Sequence, residues 1–73
     1  MYLINDNTNS FSYVWATIME HVHSNPIQAE QICQITNDNG RCHIKSGDVI
    51  ELLELREILV EKGLKVELHI MKI

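Results

Sequence analysis

The sequence predicts one α+β domain of two layers, helices covering one face of a small sheet, in the order strand, helix, helix, strand, helix, strand. Three observations carry that expectation. The chain is 73 residues long, the size of a single small domain. Three segments space their apolar residues three or four apart, the period of a helix lying on a core. Finally, Leu64, Val66, Leu68 and Ile70 alternate with Lys65, Glu67 and His69, the period-two pattern of a half-buried strand.

Met1 to Ile4 reads as a short apolar strand, closed by the polar run Asn5-Asp6-Asn7-Thr8-Asn9-Ser10, which cannot continue it. Phe11, Val14, Trp15, Ile18 and Val22 then follow helical spacing, with Ser10 or Asn9 as the cap. Asn25-Pro26 opens a second helix, Asn accepting free amides and Pro lacking one. Its apolar stripe is Ala29, Ile32, Cys33 and Thr36, and Asn37-Asp38-Asn39-Gly40 ends it, Gly40 being suited to positive φ. Cys42-His43-Ile44 alternates weakly and reads as the second strand. Ser46-Gly47-Asp48 is a turn and cap for a third helix, from about Val49 to Lys62, with Leu52, Leu53, Leu55, Ile58 and Leu59 as its apolar face and Gly63 just past its end.

Composition excludes several classes. Six Lys and Arg against ten Asp and Glu leave a formal charge of −4, which argues against a nucleic-acid groove that must displace phosphate counterions. A hydrophobic content of 45% is ordinary for a globular fold and wrong for disorder. No apolar run approaches the roughly 20 residues that span a bilayer, and the N-terminus lacks the pattern of a signal peptide. The expectation is a soluble, cytoplasmic chain whose two cysteines are reduced thiols.

Four histidines and two cysteines raise the question of zinc. His21 and His23 are two apart and would diverge on a helix, and Cys33 and Cys42 lack the tight spacing of structural zinc sites. They read as ordinary core and surface residues, with no metal and no cofactor. No nucleophile elbow accompanies either cysteine, no glycine-rich phosphate loop occurs, and nothing supports catalysis. The acidic third helix reads as a solvated face; docking of a basic partner there is the lesser alternative.

The run Asn5 to Asn9 admits two readings. Asn and Asp are ordinary turn formers between a strand and a helix. A carboxylate flanked by amide carbonyls is also what capture of an ammonium group requires, since such a cation needs several acceptors in fixed directions.

At this point the chain resembles the Clp protease adaptor family, ClpS, the bacterial recognins of N-terminal degrons. The resemblance covers nearly all of the sequence. Asn5-Asp6-Asn7 follows the first strand where the family has Asn-Asp-Asp or a close variant, and Phe11-Ser12-Tyr13-Val14 opens the next helix. Gln28-Ala29-Glu30-Gln31 lies in the second helix, and Asn37-Asp38-Asn39-Gly40-Arg41-Cys42 sits where the family has His-Tyr-x-Gly-x-Ala/Cys.

The resemblance implies three antiparallel strands with three helices, β-α-α-β-α-β. It also implies a non-catalytic, monomeric adaptor that binds N-degrons and delivers substrate proteins to a Clp-family AAA+ unfoldase, with neither nucleic acid nor membrane as partner. Asn5, Asp6 and Asn37 would hold the substrate α-amino group. Phe11, Val14, Cys33, Thr36 and Val66 would line an apolar pocket for a large first side chain. Asn37 replaces the family histidine, Phe11 and Cys33 replace methionines, Thr36 replaces a valine, and Asn9 stands where Thr is usual. The pocket is therefore expected to be altered in shape and more polar. The sequence begins at the first strand, so the N-terminal extension used in delivery is expected to be missing. The alternative is a ClpS-like interaction domain that docks on the AAA+ partner with weak or altered N-degron recognition.

Overall fold

Ser10 turns the chain from loop to helix: its hydroxyl accepts the Tyr13 N–H at 3.2 Å and opens α1, Phe11–His21. The coordinates are a computed structural model that describes residues 1–69. Asn25 caps α2, Pro26–Asn39, by accepting the Ile27 and Gln28 N–H groups at 2.9 and 3.2 Å. Gly40 ends it at φ +88, donating its N–H to the Thr36 carbonyl at 2.9 Å. Asp48 occupies the cap position of α3, Val49–Glu61, but its side chain makes no capping bond. Glu51 in the first turn is placed to favour the helix dipole instead.

The sheet has three strands, β1 (Tyr2–Ile4), β2 (Arg41–His43) and β3 (Val66–Glu67), in the order β2-β1-β3 with both pairings antiparallel. Leu3 lies opposite Cys42 and Val66, and these three face the helices. Tyr2 lies opposite His43 and Glu67 on the other face, where its ring meets those of His43 and His69 with centroids 5.3 and 4.8 Å apart. Arg41 lies over the same ring and 3.7 Å from Glu67. One face of the sheet is thus polar and aromatic, while the other closes the core.

Leu3, Ile18 and Leu59 are fully buried and meet Ala29, Ile32, Ile44, Leu52, Leu55 and Leu64 between the layers. Burying each such large side chain is worth about 1.5–3 kcal/mol. Thr17 and Thr36 are buried too, and their hydroxyls donate to the carbonyls of Tyr13 and Ile32 at 2.8 and 2.7 Å, so neither leaves an orphaned donor.

The element order is as predicted, with corrections at particular residues. Leu64 does not begin a strand. Gly63, at φ +87, donates to the Val60 carbonyl and Leu64 to that of Leu59, the paired bonds of a Schellman cap that draws Leu64 into the core beside Leu59. The strand is therefore Val66–Glu67, with Leu68 and His69 beyond it; Ile70, also assigned to that strand, lies outside the described residues. In α3 only Leu52, Leu55 and Leu59 are buried. Leu53 and Ile58, expected on the same face, are exposed, because at 100° per residue both sit roughly 90° or more from the stripe that meets the sheet. The second strand starts one residue early at Arg41, and Ile44 follows it, buried and bonded to the Met1 carbonyl at 2.9 Å.

Candidate functional site

Where β1 ends, the Asn5 N–H donates to the Gly40 carbonyl at 2.8 Å. That bond fastens the loop after β1 to the end of α2. Asn37, one turn back from Gly40 on α2, therefore opens onto the same cavity as Asn5 and Asp6. The left-handed conformation of Gly40 is what lets the chain reverse there and present its carbonyl.

Asp6 is locked by its own loop. Its Oδ1 accepts both the backbone N–H and the hydroxyl of Thr8, at 2.9 and 2.7 Å. These two bonds, the backbone one first, hold the carboxyl below its ordinary range, with a smaller contribution from the Lys65 charge. Asp6 is thus ionised at neutral pH, and its Oδ2 accepts no hydrogen bond among the described residues.

The same region is tied to a segment far away in the sequence. Asn9 donates through Nδ2 to the Gly63 carbonyl at 2.8 Å, and the Tyr13 hydroxyl donates to the Lys62 carbonyl at 2.6 Å. These bonds bring the α3–β3 connection against the start of α1. Leu64 and Lys65 thereby become cavity wall.

The cavity holds about 200 Å³. That is below the range of about 300–1,000 Å³ usual for drug-sized ligands, and it suits one side chain. Leu3, Phe11, Val14 and Leu64 supply apolar surface, with Cys33 and Thr36 on α2 behind them. Thr36 donates its hydroxyl proton to the Ile32 carbonyl, so it has no hydroxyl proton left for a ligand. Burial, with the nearby Cys42 adding to it, pushes the Cys33 thiol up to about 11. A neutral, buried thiol is a small hydrophobe here and not a nucleophile.

Asn5, Asp6, Asn37, Phe11, Val14, Cys33 and Thr36, singled out from the sequence, all line this one cavity. Val66 does not: it packs against the core from β3, and Leu64 holds the place on the wall, because the Schellman cap turns residue 64 inward. Asn9, expected to alter the pocket where Thr is usual, lines it too, and Leu3, Ile4, Asn7, Leu64 and Lys65 are wall residues not singled out from the sequence. Gly63 was the available signal for Leu64, since a glycine just past a helix end announces a residue folded back on its last turn. No sequence pattern marks Lys65.

The histidines are dispersed. His43 Nε2 lies 2.7 Å from the Ser46 hydroxyl, His69 lies 3.6 Å from Glu67, and His21 lies 3.7 Å from Glu20. Among the described residues no three His, Cys, Asp or Glu side chains gather as a metal site. Nor is any described helix long and apolar enough to cross a membrane.

The cavity brings charged, amide and apolar side chains together. An ionised carboxylate with a free oxygen shares one cavity with the amide side chains of Asn5, Asn7, Asn9 and Asn37 and with the apolar side chains of Leu3, Phe11, Val14 and Leu64. The model of the family described as ATP-dependent Clp protease adaptor protein ClpS matches residues 1–67 of this chain. No curated protein and no solved structure matches it closely enough to add a second comparison.

Proposed function

From the premise that this chain belongs to the ClpS family of Clp protease adaptors, we propose that it is a non-catalytic recognin of N-degrons. It binds the free α-amino group and large hydrophobic first side chain of a protein and delivers that protein to a Clp-family AAA+ unfoldase. The observation that carries this reading is the pairing of the open Asp6 Oδ2 with a one-side-chain cavity. An α-ammonium donates three hydrogen bonds, and Asp6, Asn5 and Asn37 offer acceptors of the right kind around one mouth. The first side chain then enters between Phe11, Val14, Cys33 and Leu64.

The test is a titration with peptide pairs that share a sequence and differ only in N-terminal acetylation. Acetylation removes both the charge and two of the donors, so the free amine must bind far more tightly. Equal affinity for both forms would remove the reading. Absence of binding by either form would favour the alternative, a ClpS-like domain that docks on its AAA+ partner without recognising an amine.

A further inference from the structure

Asp6 and Lys65 are the charged residues on the cavity wall. Lys65 is fixed there through its backbone: its carbonyl accepts the Ile4 N–H at 2.9 Å, immediately before Asn5 and Asp6. Its side chain is exposed and belongs to no ion pair among the described residues. The ammonium is nevertheless close enough to Asp6 to help keep that carboxyl ionised, after the two bonds from Thr8.

The charge balance of the site follows. Empty, the wall is neutral, one carboxylate offsetting one ammonium. Once a substrate α-ammonium sits at Asp6, the site carries one net positive charge. A peptide that brings its own carboxylate just behind the first residue neutralises it, whereas one that brings a lysine adds to it.

We propose that Lys65 reads the residues following the N-terminal one and selects peptides with Asp or Glu at the second or third position. This rests on the adaptor reading above. In an extended peptide successive residues advance by about 3.3 Å, and the third side chain returns to the face of the first. Both positions therefore stay within about 8–10 Å of the mouth, inside one Debye length at moderate salt. The flexible lysine stem lets its point charge follow either one. A solvent-exposed pair of this kind is worth about a two- to five-fold change in affinity.

The experiment titrates peptides that share a leucine at the first position and carry Glu, Gln or Lys at the second, with a parallel set varied at the third. Each is used as free amine and acetylated, against the wild-type chain, Lys65→Gln and Lys65→Glu. In the wild type, Glu binds best and Lys worst in at least one of the two sets. That spread collapses in Lys65→Gln and reverses in Lys65→Glu. It also shrinks at about 1 M salt, where the Debye length is only about 3 Å. A spread that survives Lys65→Gln, or no spread among free amines that do bind, overturns the proposal. Free amines that bind no better than their acetylated forms overturn the adaptor reading instead, and this inference with it.

Discussion

Replacing Gly40 by Ala separates two effects that usually travel together. Residue 40 sits at φ +88, and a Cβ built there meets nothing within 4 Å. Sterics with the surroundings therefore contribute nothing, and the whole cost lies in the backbone. An L-residue in the left-handed region costs roughly 1–2 kcal/mol, while the lost freedom of the unfolded chain returns about 0.4–1 kcal/mol. The strain wins, and Gly40→Ala is destabilised by about 1 kcal/mol, a fall in Tm of about 4–8 °C for a domain this small. A D-alanine at the same position, introduced by chemical synthesis, prefers positive φ and escapes the backbone strain, so its Tm lies above that of the L-variant. Both are measured by thermal and urea unfolding, with m compared to verify a two-state transition. The carbonyl of residue 40 also holds the Asn5 N–H, so the L-variant loses peptide affinity as well. A D-alanine variant as unstable as the L-variant would refute the backbone argument.

Asp6→Asn keeps an oxygen for Thr8 but removes the charge; peptide affinity falls about ten-fold or more in a binding titration, while the unfolding midpoint stays within the range of surface substitutions. Because the bonds from Thr8 lower the Asp6 pKa in the folded chain, its contribution to stability is present above the unfolded carboxylate value of about 3.9 and is lost as pH falls through the lower folded one, an acid-side loss in unfolding midpoint that Asp6→Asn removes. Asn37 has no proton to gain near neutrality, so wild-type affinity is flat between about pH 7 and 5.5, whereas Asn37→His introduces a loss centred near about pH 6.5; a mutant profile that does not change would place residue 37 away from the bound amine. With its thiol pushed up to about 11, Cys33 resists alkylation in the folded protein at pH 8, and its neutral form favours the fold until pH rises from about 9 toward about 11, where stability declines; rapid labelling of Cys33 in peptide mapping would contradict its burial.

Much of this molecule is written in local residue chemistry. Ser10, Asn25 and Gly40 act on amides and carbonyls within a few residues of themselves, so the ends of α1 and α2 follow from the sequence alone. The stripe Ala29, Ile32, Cys33 and Thr36 is buried as its spacing requires. The resemblance to the adaptor family then pointed to Asn5, Asp6 and Asn37, and these line one cavity because Asn5 bonds to Gly40. Other features depended on partners distant in the chain. Leu53 and Ile58 are as hydrophobic as Leu52 and Leu55, and only the direction from which the sheet meets α3 decides which are covered. Alternation alone made Leu64 a strand residue, but its amide is claimed by Leu59, and that capture moves it to the cavity wall in place of Val66. Lys65 enters the site because Ile4 bonds to its carbonyl and because Asn9 and Tyr13 hold the end of α3 against the start of α1, all across more than forty positions of sequence. A periodic pattern records which side of an element is apolar. It holds no record of what that element will meet, which is settled when long-range hydrogen bonds and core packing are satisfied together.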